Sequence, residues 1–247
     1  MPPERDAQFR YIEQQKRDFL EAGDPVVSVD TKKKELIGDF KNAGAAWCKE
    51  PEAVLTHDFP QDSLGKAIPY GVYNLNHNDG YVRVGDCFDT PRFAVESIVG
   101  WGCLEGQKQF PHAERLLILA DSGGSNSCRS RVWKAQLQAQ LADPWGLEVT
   151  VCHYPTGCSK WNPIEHRLFS HISLNWAGKP LRTFETLIAY LRGTSTRTGL
   201  RVTADLCRGE NEKGEPVSDA EMQQLRLEKH VLCPQWNYTL YPRDLNE

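Results

Sequence analysis

The sequence has no apolar run long enough to cross a bilayer. Its longest strictly aliphatic stretch of note, Leu116–Ala120, is far short of the ~20 residues a spanning helix needs. A secretory leader pattern is missing too, because Met1–Arg10 is polar and includes Glu4, Arg5 and Asp6. A cytoplasmic protein, with no membrane partner, is the expectation. The 8 cysteines form no C-x-x-C pair, which excludes the usual zinc ribbons and dithiol motifs. Cys152, His153 and Cys158 are closely spaced but fall short of four ligands at structural-zinc spacing, so reduced, buried thiols are the simpler reading. Neither a P-loop nor a G-x-S-x-G elbow occurs, and NTPase and esterase readings lack support. Internal repeats and low-complexity tracts are also missing. So is a basic excess: the net charge is −4, against the usual footprint of a strong nucleic-acid binder. Local patches can still grip phosphate, and a metal-dependent nuclease must concentrate carboxylates in its site.

What is present alternates strands with helices. Phe9, Ile12, Lys16 and Phe19 or Leu20 recur at helical spacing within residues 6–22, and Gly23, Asp24 and Pro25 stop that helix. Val26–Asp30 follows as a short strand. Residues 31–70 look irregular, with Lys32–Lys34, several glycines and three prolines, and read as an insertion. Strands are expected at Gly71–Leu75 and Tyr81–Phe88, joined by Asn76–Gly80 with its Asp79-Gly80 turn signal. Thr90-Pro91 opens a helix with Ala94, Ile98 and Trp101 on one face. Arg115–Asp121 is a buried-type strand, Ser122–Ser127 a loop, Arg129–Ala142 a helix, Leu147–His153 a strand and Asn162–Trp176 a helix. Phe184, Leu187, Ile188 and Leu191 stripe a further helix, and Ser218 with Glu221 forms a capping box for the last.

Two acids stand where packing explains them poorly. Asp30 ends the first strand directly after Val26–Val29, and Asp121 ends the strand Leu116–Ala120; a partly buried carboxylate needs a partner. In an open sheet of this kind ligands gather beyond the carboxyl ends of parallel strands. Glu165 is the candidate third acid. It also fits the third helical position after Asn162 and Pro163, where capping geometry and the helix dipole favour Glu; both readings stay open at this point. Three carboxylates would suit magnesium or manganese, and a pair of ions ~3.5–4 Å apart can stabilise both the attacking and the leaving oxygen of a phosphodiester displacement.

The stretches Val27–Glu35, Ile118–Asn126 and Ser159–Phe169, the last containing Asn162-Pro163-Ile164-Glu165, resemble the three catalytic blocks of insertion-sequence transposases of the ISAzo-thirteen family, which is similar to the mariner-like group. The resemblance runs from about Asp6 to about Pro242 and takes in Lys66–Tyr73 and Trp236–Thr239. It implies an α/β, ribonuclease-H-like fold: a mixed five-stranded sheet with helices on both faces. Residues 1–24 would lead into a catalytic domain at 25–180, and 181–247 would form a helical extension packed on it. It further implies that Asp30, Asp121 and Glu165 are a DDE triad holding two Mg2+ or Mn2+ ions. The implied chemistry is hydrolysis at the element's ends, then attack of the freed 3′-hydroxyl on target DNA, with no nucleotide cofactor and with a dimer acting on DNA. Family members carry a helix-turn-helix region ahead of this domain. Here a single helix precedes the first strand, so recognition of the element's ends is expected elsewhere. A truncated, non-catalytic remnant that binds DNA or a partner transposase is the alternative.

Basic residues near the triad are candidate DNA contacts: Lys32, Lys33 and Lys34 beside Asp30, and Lys160, His166 and Arg167 around Glu165. Arg197 and Arg201 belong to a second basic stretch. Each run could equally be a solvated face. Trp161 is either a base-stacking platform or a loop anchor. Ser122 in Asp121-Ser122-Gly123-Gly124 lacks the two-barrel context of a serine protease and is set aside as a nucleophile.

Overall fold

The computed structural model describes residues 3–50, 53–57, 59–209 and 214–243. Helix α1 (Pro3–Ala22) buries Ile12 and Phe19 and ends where Gly23 turns left-handed at φ +77°. The Gly23 and Asp24 N–H groups close that end on the Leu20 and Phe19 carbonyls at 3.1 and 2.9 Å. The chain then enters β1 (Val26–Thr31), β2 (Glu35–Ile37), β3 (Gly65–Asn74) and β4 (Asp79–Gly85). Helix α2 (Pro91–Trp101) follows, capped by the Thr90 hydroxyl, and runs through a wide π-type turn at Gly102–Gly106 into α3 (Gln107–Gln109). Next come β5 (Arg115–Asp121), α4 (Arg131–Leu137), α5 (Asp143–Trp145), β6 (Glu148–Tyr154), α6 (Ser170–Asn175), α7 (Phe184–Arg192), β7 (Arg201–Cys207), α8 (Asp219–Gln223), β8 (Leu227–Lys229) and β9 (Asn237–Leu240).

The strands form one mixed sheet in the order β7-β4-β3-β1-β5-β6-β9-β8, with β2 paired to β3. β1, β5 and β6 are parallel neighbours, β3 is antiparallel to β1, and β4 antiparallel to β3. The sheet is nine-stranded rather than five-stranded. Residues 181–247, expected to be helical, supply α7 and α8 but also β7, β8 and β9 of this same sheet. Their strand character is masked because β9 is short and carries Asn237 and Thr239, polar residues that are satisfied across the fold. The Thr150 and Thr239 hydroxyls are bonded at 2.9 Å, and the Gln8 and Asn237 amides exchange two hydrogen bonds of 2.7 Å.

The expected insertion at 31–70 is also smaller, because β2 lies within it and β3 begins at Gly65. Pro69 lies within β3, although proline removes a ladder donor and is unfavourable inside a sheet. It falls where β1 has ended opposite Tyr70 and β2 has not begun, so its missing N–H interrupts no ladder bond.

Helices cover both faces. On one, Val27, Val29, Ile118 and Ala120 pack with Phe93 and Ile98 of α2 and Trp133 and Leu137 of α4. On the other, α1 covers Val26, Leu117, Leu119 and Cys152, while Ile164, Leu168, Phe169 and α7 cover Tyr73, Val82 and Val84. Alternation along β1 therefore turns Ser28 and Asp30 toward the segment that carries Glu165.

Candidate active site

Asp30 and Asp121 lie at the carboxyl ends of neighbouring parallel strands. Val29 is the register partner of Ala120, so the two acids stand one residue further along adjacent strands. Asp30 accepts the Thr31 N–H at 2.7 Å and, more weakly, the Asn126 side-chain amide at 3.4 Å. Tyr70 O–H fixes that amide by donating to its oxygen at 2.6 Å. The Asp121 carboxylate accepts from Asn162 Nδ2 at 3.3 Å.

Asn162 removes the capping-box reading of Glu165. Its side chain is fully buried and does not cap the helix: it donates to the Val29 carbonyl at 3.1 Å and accepts from Ser28 Oγ. Ser28 Oγ in turn accepts the Ile164 N–H at 3.0 Å, so a strand hydroxyl does the capping. The Asn162 N–H is taken by the Ser159 carbonyl at 2.8 Å, which leaves Glu165 no capping-box partner. Among the described residues nothing donates a hydrogen bond to the Glu165 carboxylate. Glu165 opens a π-type turn, Glu165–Phe169, before α6, a local widening often found at functional sites.

The electrostatics show that the three acids share one field. Burial, then Asp121, then Glu165 and Asp89, push the Asp30 carboxyl up to about 8. Burial and Glu165 push Asp121 up to about 6 against the Asn162 hydrogen bond. Burial raises Glu165, opposed by His166 and Lys32. Negative charge is crowded here without full compensation. The donor set is all oxygen, as a hard divalent cation requires. As the side chains stand, no three acids, histidines or cysteines among the described residues are gathered tightly enough to hold one ion. The chemistry fits a metal site; ligation requires the carboxylates to draw together.

Asp30 and Asp121 open into a cleft of about 520 Å³ that is also lined by Asp89, Lys33, Lys34 and Lys66. Neither Asp89 nor Lys66 stands out in the sequence: the Thr90-Pro91 helix start accounts for an acid beside it, and Lys66 sits within the irregular stretch 31–70. Lys33 and Lys34 are exposed, and Lys34 pairs with Asp89 at 3.4 Å. Lys32 differs from them: it is buried, paired with Glu35 at 3.0 Å, and its ammonium lies 4.6 Å from the Trp176 ring. Lys160, His166 and Arg167 are exposed beside Glu165, with the His166 ring bonded to the Lys160 carbonyl. Arg197 and Arg201 are not brought to the cleft. Asp30 is level with Gly71, Val82 and Ala204, whereas Arg201 opens β7 at the level of Asp79, toward the opposite edge of the sheet.

Trp161 rests edge-on against Phe9 at 5.9 Å yet is 60% exposed, so it is anchored on one side and open on the other. His153 is no zinc ligand. Its Nδ1–H donates to the Asp121 carbonyl at 2.8 Å and its Nε2 accepts from Tyr238 O–H at 3.3 Å. Trp133 Nε1–H completes this chain by donating to the Tyr238 oxygen at 2.8 Å. Burial lowers the imidazole to about 4, so a neutral ring fixes the backbone of Asp121. Cys158 Sγ accepts from Arg5 instead.

Comparison with known proteins agrees with this geometry. A search of curated proteins found no match. Among solved structures the chain is similar to the Mos1 transposase paired-end complex with left transposon end (TM-score 0.51, 14% identity, 76% of this chain and 52% of that chain). It is similar in the same way to the Mos1 strand transfer complex (TM-score 0.50, 13% identity, 76% and 51%), and to the Mos1 mariner paired-end complex with Mn (TM-score 0.51, 14% identity, 76% and 52%). The chain thus shares their ribonuclease-H-like fold and spans about half the length of those chains. The family model described as "Rhodopirellula transposase DDE domain" matches residues 1–242. Near-complete coverage by that model, on a sheet that brings Asp30 and Asp121 to one edge, places the chain in this family of transposase DDE domains.

Proposed function

We propose that this chain is the catalytic domain of a DDE transposase, in which Asp30, Asp121 and Glu165 cut and rejoin DNA with two divalent cations. The observation that carries the reading is the placement of Asp30 and Asp121 side by side at the carboxyl ends of adjacent parallel strands, with Glu165 close enough to raise both and left free of its helix cap. When bound there, magnesium or manganese would stabilise the attacking and leaving oxygens of an in-line phosphodiester displacement.

The chain's own residues do the positioning. Asp30, which feels both Asp121 and Glu165, would be the ligand common to the two cations. Asn162 and His153 hold the Asp121 side chain and backbone, respectively. Lys33, Lys34 and Lys66 at the cleft, with Lys160, His166 and Arg167 beside Glu165, meet the phosphates flanking the scissile bond. Trp161 offers an open ring face to an unpaired base. A water molecule attacks the scissile phosphorus and the P–O3′ bond breaks, freeing a 3′-hydroxyl and leaving a 5′-phosphate; that hydroxyl then attacks a target phosphorus, loses its proton and displaces the target strand's 3′-oxygen, which leaves as a hydroxyl. The substrates are DNA ends and target, handled by two copies of the chain, in keeping with the paired ends named for the Mos1 structures.

The test is a supercoiled plasmid incubated with protein and Mg2+ or Mn2+. Nicking by the native chain that vanishes in Asp121→Ala is expected, a loss of at least 10²-fold. Equal nicking by both proteins would indicate a contaminant and remove the proposal. A non-catalytic DNA-binding remnant is the second reading, favoured by the present lack of a closed three-ligand cluster; retention of plasmid without nicking under any divalent ion would support it.

A further inference from the structure

Asp89 belongs to none of the three family blocks, yet it lines the same cleft as Asp30 and Asp121. Its two oxygens are both engaged. Oδ1 accepts the Thr31 hydroxyl at 3.1 Å, and Oδ2 pairs with the Lys34 ammonium at 3.4 Å. The Thr31 oxygen lies 3.2 Å from Ser125 Oγ. Because the Thr31 proton goes to Asp89, the Ser125 hydroxyl is the donor in that contact. One chain of hydrogen bonds therefore runs from the loop after Asp121, through the residue after Asp30, to the start of α2. Thr31 is the residue whose N–H makes the shortest hydrogen bond to the Asp30 carboxylate, 2.7 Å.

We infer that Asp89 is a positioning residue: it anchors the Thr31 hydroxyl so that the Thr31 N–H fixes the Asp30 carboxylate. The inference rests on the proposed role of Asp30. The contrast with the proposed ligands separates positioning from ligation. Among the described residues Glu165 accepts no hydrogen bond, and Asp30 and Asp121 accept on Oδ1 alone, so each keeps an oxygen for a cation, whereas both oxygens of Asp89 are already committed. An ordinary acid ahead of a helix would interact with the helix end; this one reaches away from α2 to β1 and the segment beyond it.

The two roles predict different responses to Asp89→Asn and Asp89→Ala. The amide oxygen of Asn still accepts from Thr31; alanine does not. If Asp89 positions, Asp89→Ala lowers the turnover of a short duplex at saturating DNA by about tenfold or more. Its KM for DNA stays within about twofold, and Asp89→Asn restores most of the rate. Thr31→Val behaves like Asp89→Ala, and Thr31→Ser, which keeps the hydroxyl, stays near native. This second pair decides the matter should Asp89→Ala fail to fold.

A readout independent of cleavage is the Thr31 amide resonance in 15N-threonine-labelled protein, assigned by its disappearance in Thr31→Ser. It should move upfield in Asp89→Ala, as the bond to Asp30 is lost, and hold in Asp89→Asn. An unmoved resonance in Asp89→Ala overturns the inference whether or not the chain cuts DNA, and so does an equal loss of turnover in Asp89→Ala and Asp89→Asn, because then the charge matters and not the acceptor. Absence of cleavage by the native protein would remove the proposed function alone, leaving the resonance to decide Asp89.

Discussion

Asp30 and Asp121 can be recognised in the bare sequence because each ends a run of aliphatic residues, where burial has no use for a charge. Glu165 could not be assigned that way, since a capping Glu and a ligand Glu occupy the same helical position. The cap is taken instead by Ser28, distant in sequence, whose hydroxyl accepts the Ile164 N–H, so the capping reading falls away. The crowding of these acids has a thermodynamic consequence. Asp30 is raised from 3.8 to about 8 in the folded chain, so folding favours its protonated form. That contribution is fully present below the unfolded value and lost as pH rises through the folded one. Between pH ~7.5 and ~8.5 histidine is largely neutral in the unfolded chain, and the buried His153, lowered from 6.5 to about 4, is neutral in the folded one, so it adds little slope. In this window and without divalent ions, Tm should fall with pH in the native chain and stay nearly flat in Asp30→Asn. Mg2+ at about 100-fold excess over its Kd should add roughly 2.7 kcal/mol, or about 5–10 °C in Tm, and should add more at the upper pH than at the lower. An equal Mg2+ effect at both pH values, or one retained in Asp30→Asn, would count against a cation held by Asp30.

At the scale of elements, the carrier of Glu165 reaches the sheet only because β3 and β4 are bare beneath it. Gly71 is the register partner of Asp30, and a Cβ there would meet Phe169 Cε1 at 2.6 Å and Ile164 Cδ1 at 2.9 Å. A Cβ on Gly80 would meet Leu168 Cδ1 at 2.5 Å. These are ring and branch atoms of buried side chains, which move only with the segment they belong to. Gly71→Ala should therefore cost about 1–3 kcal/mol in urea or thermal unfolding, and should reduce nicking beyond what the lost stability explains, by lifting Glu165 from Asp30. Gly209→Ala, where an added Cβ meets nothing within 4 Å, is the tolerated control; equal behaviour of the two variants would contradict the close-approach argument. The central strands and their helices were legible from periodicity. The added strands β7 and β9 were not, because Arg201–Cys207 alternates on an exposed edge and Asn237–Leu240 buries polar groups that only distant partners satisfy.

For the whole molecule, a net charge of −4 conceals a local division of labour: acids at the floor of the cleft and lysines at its rim. Short-range sequence patterns located the acids, but only the folded chain shows that Lys32, Lys33, Lys34 and Lys66 line one cleft, with Lys32 buried and paired to Glu35, while Arg201 lies toward the far edge. Among the described residues no helix is long and apolar enough to cross a membrane. The most direct measurement of the central claim is anomalous diffraction from crystals of the native chain soaked in Mn2+. Two manganese peaks roughly 3.5–4 Å apart, with Asp30 touching both and Asp121 and Glu165 one each, are expected. Manganese bound elsewhere, or held without one of these three carboxylates, would contradict it.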